Sequence, residues 1–438
     1  MAAPSRLRFS TAVVLVAVVA ALFAVGFRLA LNGLVHAFSG EHDIVSAIRR
    51  VPVGLRILLP AAGGLAAGLF GRLAKKGGGH GVGDVMEAVV LGRVKLSIRN
   101  TIVKCIGSFF ALATGNSVGR EGPLIRFGGA SGSFIGEKLG LGTDQTRLLI
   151  AAGTAAGFAA AYNTPFAAVL FVIEVVTNFV VLDATLPALV ATVIATTIAR
   201  AAAGPGPIYG SRAFAFGPPG ELLLFVGLAV AAAVVSQGFM RLLALGEIAF
   251  RKISLPWRSA LGGLATGGIL CVLPEVAGNG AEPLNAMLDG RLAVGFVALL
   301  IVGKAVATTT SVSSGNPGGV FTPSLAIGGA VGIVYAWAAQ KLGLHPAAAG
   351  GYALVGMAAA TAATTHAPLM AAVMVFELSG DYSIVLPLVI STALATLISR
   401  RLRADSIYTA ELRERGIDWP TTSLPGTASP DARTGSPA

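Results

Sequence analysis

Arg120 and Glu121 stand side by side in the stretch GNSVGREGPLIRFGGASG, residues 115–132. Charged side chains at membrane depth are expensive and mark function. Gly119 and Gly122 flank the pair, and Pro123 suits the first turn of a new helix, where its missing N–H would have no partner anyway. A helix starting at Pro123 points free N–H groups and a partial positive charge at the segment holding Arg120 and Glu121. That is an environment for an anion. The second half of the chain repeats the form in GNPGGVFTPSL, residues 315–325, where Gly318 and Gly319 let the backbone approach a ligand and Pro323 opens the following helix. Two such helix ends converging would hold a small anion by backbone amides, weakly enough to let it leave. A carboxylate is itself an anion and can take the same seat. Ionised, Glu121 would block it; protonated, it would lose its attraction to the amides and swing away, so one residue would be gate and proton carrier.

Such a site needs walls, and the composition says what they are made of. Of 438 residues, 54% are hydrophobic and 12% charged, against roughly 25% charged in an ordinary soluble domain. The mean hydropathy is +0.77. This is the composition of an integral, multi-pass membrane protein, with segments of about 20 apolar residues such as 10–31 and 220–239. Arg6 and Arg8 precede the first of these, but its apolar run exceeds the 7 to 15 residues typical of a signal peptide core, so it reads as a retained helix. Cys105 and Cys271 both lie in or beside apolar segments, the five histidines have no metal-ligand spacing, and phosphate loops and nucleophile elbows are missing. The expectation is a protein that is not an enzyme, with no cofactor, no metal and no nucleic-acid partner. The net charge of +11 fits the positive-inside rule, since SRLR near the start and SRRLR at 399–403 place both termini on the cytoplasmic side of the cell membrane. Short loops holding Arg72, Lys75, Lys76, Arg93, Lys95 and Arg99 would also raise the local anion concentration at a pore mouth.

Glycines and prolines interrupt the apolar segments themselves, which implies broken or re-entrant helices covered by protein or lining a cavity. The breaks recur. PLIRFGGASG from Pro123 matches PSLAIGGAVG from Pro323, and GTAAGFAAAYNTPFAAVLFVIE (153–174) matches GMAAATAATTHAPLMAAVMVFE (356–377). Proline and glutamate stand nine apart in both copies, Pro165 with Glu174 and Pro368 with Glu377. The chain therefore reads as two related halves, about 1–210 and about 220–415, joined by GPGPIYGSRAFAFGPPG and followed by a disordered tail at 416–438. Repeated halves with interrupted helices at matching places point to a transport site between them near the bilayer midplane.

GREGP at 119–123, GGVFTP at 318–323, AAYNTPFAAVLFVIE at 160–174 and Tyr408 in SIYTAELRERG resemble the CLC family of chloride channels and anion/proton antiporters. The resemblance runs from about residue 10 to 415. It implies an all-α membrane fold of two inverted repeats of tilted and broken helices, a lipid-embedded homodimer with one pore per subunit, chloride or a similar anion as cargo, and protons as a second cargo in the exchanger members. By resemblance Glu121 is the external gating glutamate, Gly122 lies in the anion-binding motif, the amides of Val320 and Phe321 hold the central anion, and the Tyr408 hydroxyl bonds it from the cytoplasmic side. The family's remaining anion motif corresponds to Gly79, His80, Gly81, Val82 and Gly83, with His80 in place of a serine and Gly83 in place of a proline. A histidine still donates an N–H to an anion, so nitrate and fluoride stand beside chloride. The family's inner proton glutamate follows the position of Glu174, where this chain has Val175, as channel members do.

The residues also have structural readings. Glu174 and Glu377 share one place in the two copies, which suits a helix cap as well as an inner proton path through Glu174. His80 suits loop capping as well as anion contact, and Arg120 suits support of the loop. Passive anion conduction through a glutamate-gated pore leads; anion/proton exchange follows, and a cation-coupled solute symporter is the remote alternative.

Overall fold

The computed structural model describes residues 3–74, 81–92, 95–178, 182–204, 206–210, 212–214, 217, 219–417 and 419. The first half holds α1 (Ala3–Ser39), α2 (Ile44–Arg50), α3 (Val53–Leu73), α4 (Val82–Met86), α5 (Ile98–Ala113), α6 (Glu121–Lys138), α7 (Thr143–Tyr162), α8 (Pro165–Phe171) and α9 (Leu182–Ala203). The second holds α10 (Leu222–Phe250), α11 (Trp257–Val272), α12 (Ala281–Leu288), α13 (Val294–Ser313), α14 (Phe321–Lys341), α15 (Ala349–Thr365), α16 (Pro368–Ser379) and α17 (Val385–Leu402), and α18 (Ile407–Glu414) follows. Among the described residues there is no strand beyond one isolated bridge, and seven helical spans are long and apolar enough to cross a membrane. Their outer faces expose Leu186, Leu223 and Val302, which suits contact with lipid.

The halves are built alike. α1 lies against α6, α7 and α9, and α10 lies against α14, α15 and α17. Equivalent elements also meet across the molecule, α3 against α11 and α8 against α16. The helix breaks follow one recipe. α7 ends when Asn163 turns left-handed (φ 58°) and its N–H donates to Ala159 O at 2.7 Å; Pro165 then starts α8. α15 ends the same way at His366 (φ 59°), whose N–H donates to Ala362 O at 2.9 Å, and Pro368 starts α16. The short α8 and α16 thus begin afresh after each break, with N–H groups that need acceptors.

Those acceptors come from the opposite half. Glu377 accepts from the N–H groups of Phe166 (3.1 Å) and Ala167 (2.8 Å), and Glu174 accepts from those of Leu369 (3.2 Å) and Met370 (2.7 Å). Each glutamate caps the other copy's helix, which explains why the pair occupies one place in the repeat. The connecting stretch between the halves is also tied down. Asn163 Nδ2 donates to Gly206 O at 2.9 Å, the Tyr209 N–H to Leu378 O at 3.3 Å and the Phe214 N–H to Asp381 Oδ2 at 2.8 Å. Of the tail expected at 416–438, residues 418 and 420–438 lie outside the described residues.

Close helix packing rests on glycine. A Cβ on Gly128 in α6 would strike the carbonyl of Gly153 in α7, and one on Gly153 would strike that of Gly128; Gly328 and Gly356 stand in the same relation between α14 and α15. Small residues of this kind let membrane helices approach at backbone distance. Gly153→Leu should therefore cost more than the ~1–3 kcal/mol of ordinary overpacking and abolish a monodisperse, cooperatively melting protein in detergent. Gly238→Ala, where an added Cβ meets nothing within 4 Å, should melt as the wild type does.

Candidate functional site: two helix ends and one carboxylate

The two glycine loops meet at the centre of the molecule. The Gly119 N–H donates to Gly319 O at 2.7 Å and the Gly319 N–H to Gly119 O at 2.8 Å, an antiparallel bridge between equivalent positions of the two copies. From this bridge α6 starts at Glu121 and α14 at Phe321, each two residues before the proline expected to open it. Pro123 and Pro323 fall at the third helical position, where an N–H has no partner inside the helix, so the turn closes ahead of them.

Glu121 bridges the two ends. Its side chain leaves the first turn of α6 and lies on the N-terminus of α14, where Oε1 accepts from the N–H groups of Phe321 (3.0 Å) and Thr322 (3.3 Å). Oε2 accepts from the Thr322 hydroxyl at 2.9 Å. The residue is 1% exposed. A buried carboxylate survives here because the free amides and dipole of α14 favour a negative charge. Glycine is required around it. A Cβ on Gly119 or on Gly319 would fall on the Glu121 carboxylate, one on Gly318 would strike Val118, and one on Gly122 would lie 3.3 Å from the Gly319 N. Phe321 thus presents its amide to the carboxylate, and the second amide there belongs to Thr322. Val320 precedes the helix as its cap residue (φ −107°, ψ −3°). Arg120 is half-buried and lines a crevice with His42, Asp43, Asn279 and Glu282.

Tyr408 approaches through a column of aromatic rings. Its own ring, 8% exposed, stands edge-on to Phe171 at 6.1 Å; Phe171 stacks on Phe158 at 4.8 Å, and Phe158 meets Phe321 at 5.6 Å. The Tyr408 hydroxyl forms no hydrogen bond with the described residues. A capping box of Ser406 and Thr409 starts α18, and Arg415 just past its end holds it in place. Arg415 bonds Asp84 Oδ1 at 2.8 Å and Glu411 at 2.5 Å, and it approaches Glu87 at 3.6 Å. Asp84, fully buried in α4, also pairs with Arg126 of α6. One ionic network thus ties the helix that starts at Glu121 to α4 and to the helix that carries Tyr408.

The glycine that replaces the family's proline has a place in that network. A Cβ on Gly83 would lie 3.3 Å from both Arg415 and Glu411. Gly81 is buried at the start of α4; Gly79 and His80 lie outside the described residues, as do Lys75, Lys76 and Arg93. Glu174, the candidate for an inner proton path, has both oxygens committed to the start of α16, and Val175 beside it is buried. The sequence reading missed Thr322 and Tyr162, whose hydroxyls lie 2.6 Å apart beside Glu121. The available signal was a hydroxyl inside each helix-break motif, at a depth where polar groups need partners.

The family model for voltage gated chloride channel matches residues 62–400. The chain belongs to the voltage-gated chloride channel family. A relative from Ralstonia nicotianae described as a putative chloride channel protein ClcB-like is 37% identical over 420 residues, 94% of this chain and 97% of the relative. The voltage-gated ClC-type chloride channel ClcB of Citrobacter koseri is 32% identical over 404 residues, 90% of this chain and 96% of that one. Among solved structures of the family, a slow cyanobacterial Cl−/H+ antiporter superposes with a TM-score of 0.83 at 25% identity, covering 93% of this chain and 98% of the other. A eukaryotic CLC transporter, at 22% identity and a TM-score of 0.77 over 93% of this chain and 74% of its own, shares the fold.

The buried ion network generates a stability prediction. Arg126→Leu takes from buried Asp84 its partner in α6 while Arg415 remains, and should destabilise the protein by less than the ~3–5 kcal/mol of a fully uncompensated buried charge, read as a lower melting temperature in detergent. Adding Asp84→Leu removes the charge left with fewer partners and should recover part of the loss. A double variant as unstable as the sum of the single ones would show that the pair is not coupled.

Proposed function

We propose that this chain conducts small inorganic anions, chloride foremost, across the cell membrane along a path that Glu121 closes. The observation that carries the reading is the Glu121 carboxylate seated on the amides of Phe321 and Thr322, a place built for an anion and occupied by the protein's own. Protonation removes the charge that holds the carboxylate there, so the seat empties for cargo. The named relatives are chloride channels by description, which supports chloride over nitrate or fluoride. A homodimer with one path per subunit, contact with lipid, both termini cytoplasmic and a transporter rather than an enzyme complete the proposal. Arg6 and Arg8 at one end and Arg400, Arg401 and Arg403 near the other support the orientation.

Exchange of anion for proton is the second reading, favoured by the Cl−/H+ antiporter with which the chain superposes. Two features support passive conduction instead. Val175 carries no proton, and Glu174 is committed to capping α16.

Purified protein in proteoliposomes under a chloride gradient, with the potential clamped by potassium and valinomycin, tests both. The expected result is chloride efflux that rises as pH falls, without proton uptake in fixed proportion. Glu121→Gln should make efflux fast at neutral pH and flatten its pH dependence. Stoichiometric proton uptake against a gradient would establish exchange, and an unchanged rate in Glu121→Gln would remove this residue from the path.

A further inference from the structure

Glu121 Oε2 has one hydrogen-bond partner among the described residues, the hydroxyl of Thr322 at 2.9 Å. An ionised carboxylate has no proton to give, so the hydroxyl must be the donor, and its single hydrogen is spent there. The Tyr162 hydroxyl lies 2.6 Å from the same Thr322 oxygen, and with the Thr322 hydrogen already committed, Tyr162 must donate. The donors therefore run in one direction, Tyr162 to Thr322 to Glu121. All three side chains are buried, at 3%, 1% and 1% exposure, so no bulk water competes for these bonds.

Both hydroxyls are held in place by the fold. Thr322 is the second residue of α14, where its N–H reaches one carboxylate oxygen while its side chain reaches the other. Tyr162 is the last residue of α7, just before the left-handed turn at Asn163, and its ring packs against Phe158 at 5.0 Å and Phe321 at 5.8 Å. The phenol is fixed by the same helix break that frees the start of α8.

We propose that Thr322 and Tyr162 form a two-hydroxyl latch that holds the Glu121 carboxylate in the anion seat and sets how readily it yields to cargo. The proposal rests on the reading of Glu121 as the group that closes the path. The latch discriminates between the carboxylate and its competitor. A monatomic anion in the place of Oε1 receives the same amides but brings no second oxygen, whereas the carboxylate without the hydroxyl leaves Oε2 buried and unpartnered. Loss of the hydroxyl therefore penalises the closed state more than the occupied one. The order of the chain adds a second consequence: Tyr162 acts only through Thr322. Thr322 and Tyr162 are positioning residues in this sense.

The test is chloride efflux from proteoliposomes at neutral pH with the full chain. Thr322→Val, which keeps the shape and removes the hydroxyl, should raise the rate roughly tenfold, the worth of a hydrogen bond to a charged group. Thr322→Ser restores the hydroxyl and should keep the wild-type rate. Tyr162→Phe should raise the rate by a smaller factor, and should add nothing in the Thr322→Val background. In the Glu121→Gln background neither substitution should change the rate, a result that a merely structural role for the two hydroxyls would not give. Fast efflux in Glu121→Gln with an unchanged Thr322→Val rate would overturn the latch alone, as would a Tyr162→Phe effect that persists without the Thr322 hydroxyl. A wild-type rate in Glu121→Gln would overturn the gate and the latch with it.

Discussion

A helix that begins inside a membrane protein leaves N–H groups with no partner in their own helix and no water to supply one. In this chain α8, α14 and α16 each have their first N–H groups answered by a carboxylate, and the architecture around the site follows from which one. α8 and α16 receive Glu377 and Glu174 from the opposite copies, so every half needs the other to finish its fold. The first turn of α14 receives Glu121, by the same chemistry of a carboxylate on paired amides. The settings differ. Glu377 stands in the last turn of α16 and Glu174 in the π-helical turn that follows α8, whereas Glu121 is the first residue of α6 with Gly119 and Gly122 close by. Two carboxylates finish a structure, and the third is the one proposed above to yield its place to a mobile anion.

The seat depends on elements far from it. Gly128 against Gly153, and Gly328 against Gly356, bring α6 to α7 and α14 to α15 at backbone distance, which fixes where the two helix starts meet. The bridge between Gly119 and Gly319 then sets the approach of the loops. On the other face of α6, Arg126 joins Asp84 and through it Arg415, so a shift of α6 is felt by α18 and Tyr408. The aromatic rings from Tyr408 to Phe321 pack the space between these two ends.

The meeting of the two glycine loops at Glu121 was legible because its signal is local. GREGP and GGVFTP each carry glycine, charge or its absence, and proline within six residues, and the repeat showed that they belong together. The paired caps were legible for the same reason, since Glu174 and Glu377 stand at one place in two copies. The helix starts were misplaced by two residues because proline is admissible throughout the first turn and its presence alone does not say which position it fills. Thr322 and Tyr162 escaped because they meet across 160 positions, and the hydroxyl that each break motif carries does not by itself name its partner. The ion network escaped likewise: Asp84, Arg126 and Arg415 are distant in sequence and unpatterned, and only the packing of α4, α6 and α18 joins them.

One seat shared by a carboxylate and an anion constrains what pH dependence can mean. The amides of Phe321 and Thr322 hold the Glu121 carboxylate; on the function proposed above they would hold either it or a cargo anion, and the proton that releases Glu121 would be the event that admits the anion. A conductor and an exchanger built on this seat would both transport faster in acid, since each needs the carboxylate neutralised before cargo enters. What separates them is where the proton goes next. In a conductor it returns to the side from which it came, while in an exchanger it must leave by the opposite side on a group that can carry it. Glu174 could serve only by surrendering two charge-assisted bonds to the start of α16, which would leave the N–H groups of Leu369 and Met370 without their acceptor. The fold that caps its broken helices with this glutamate thereby sets its use as a proton carrier against the stability of α16.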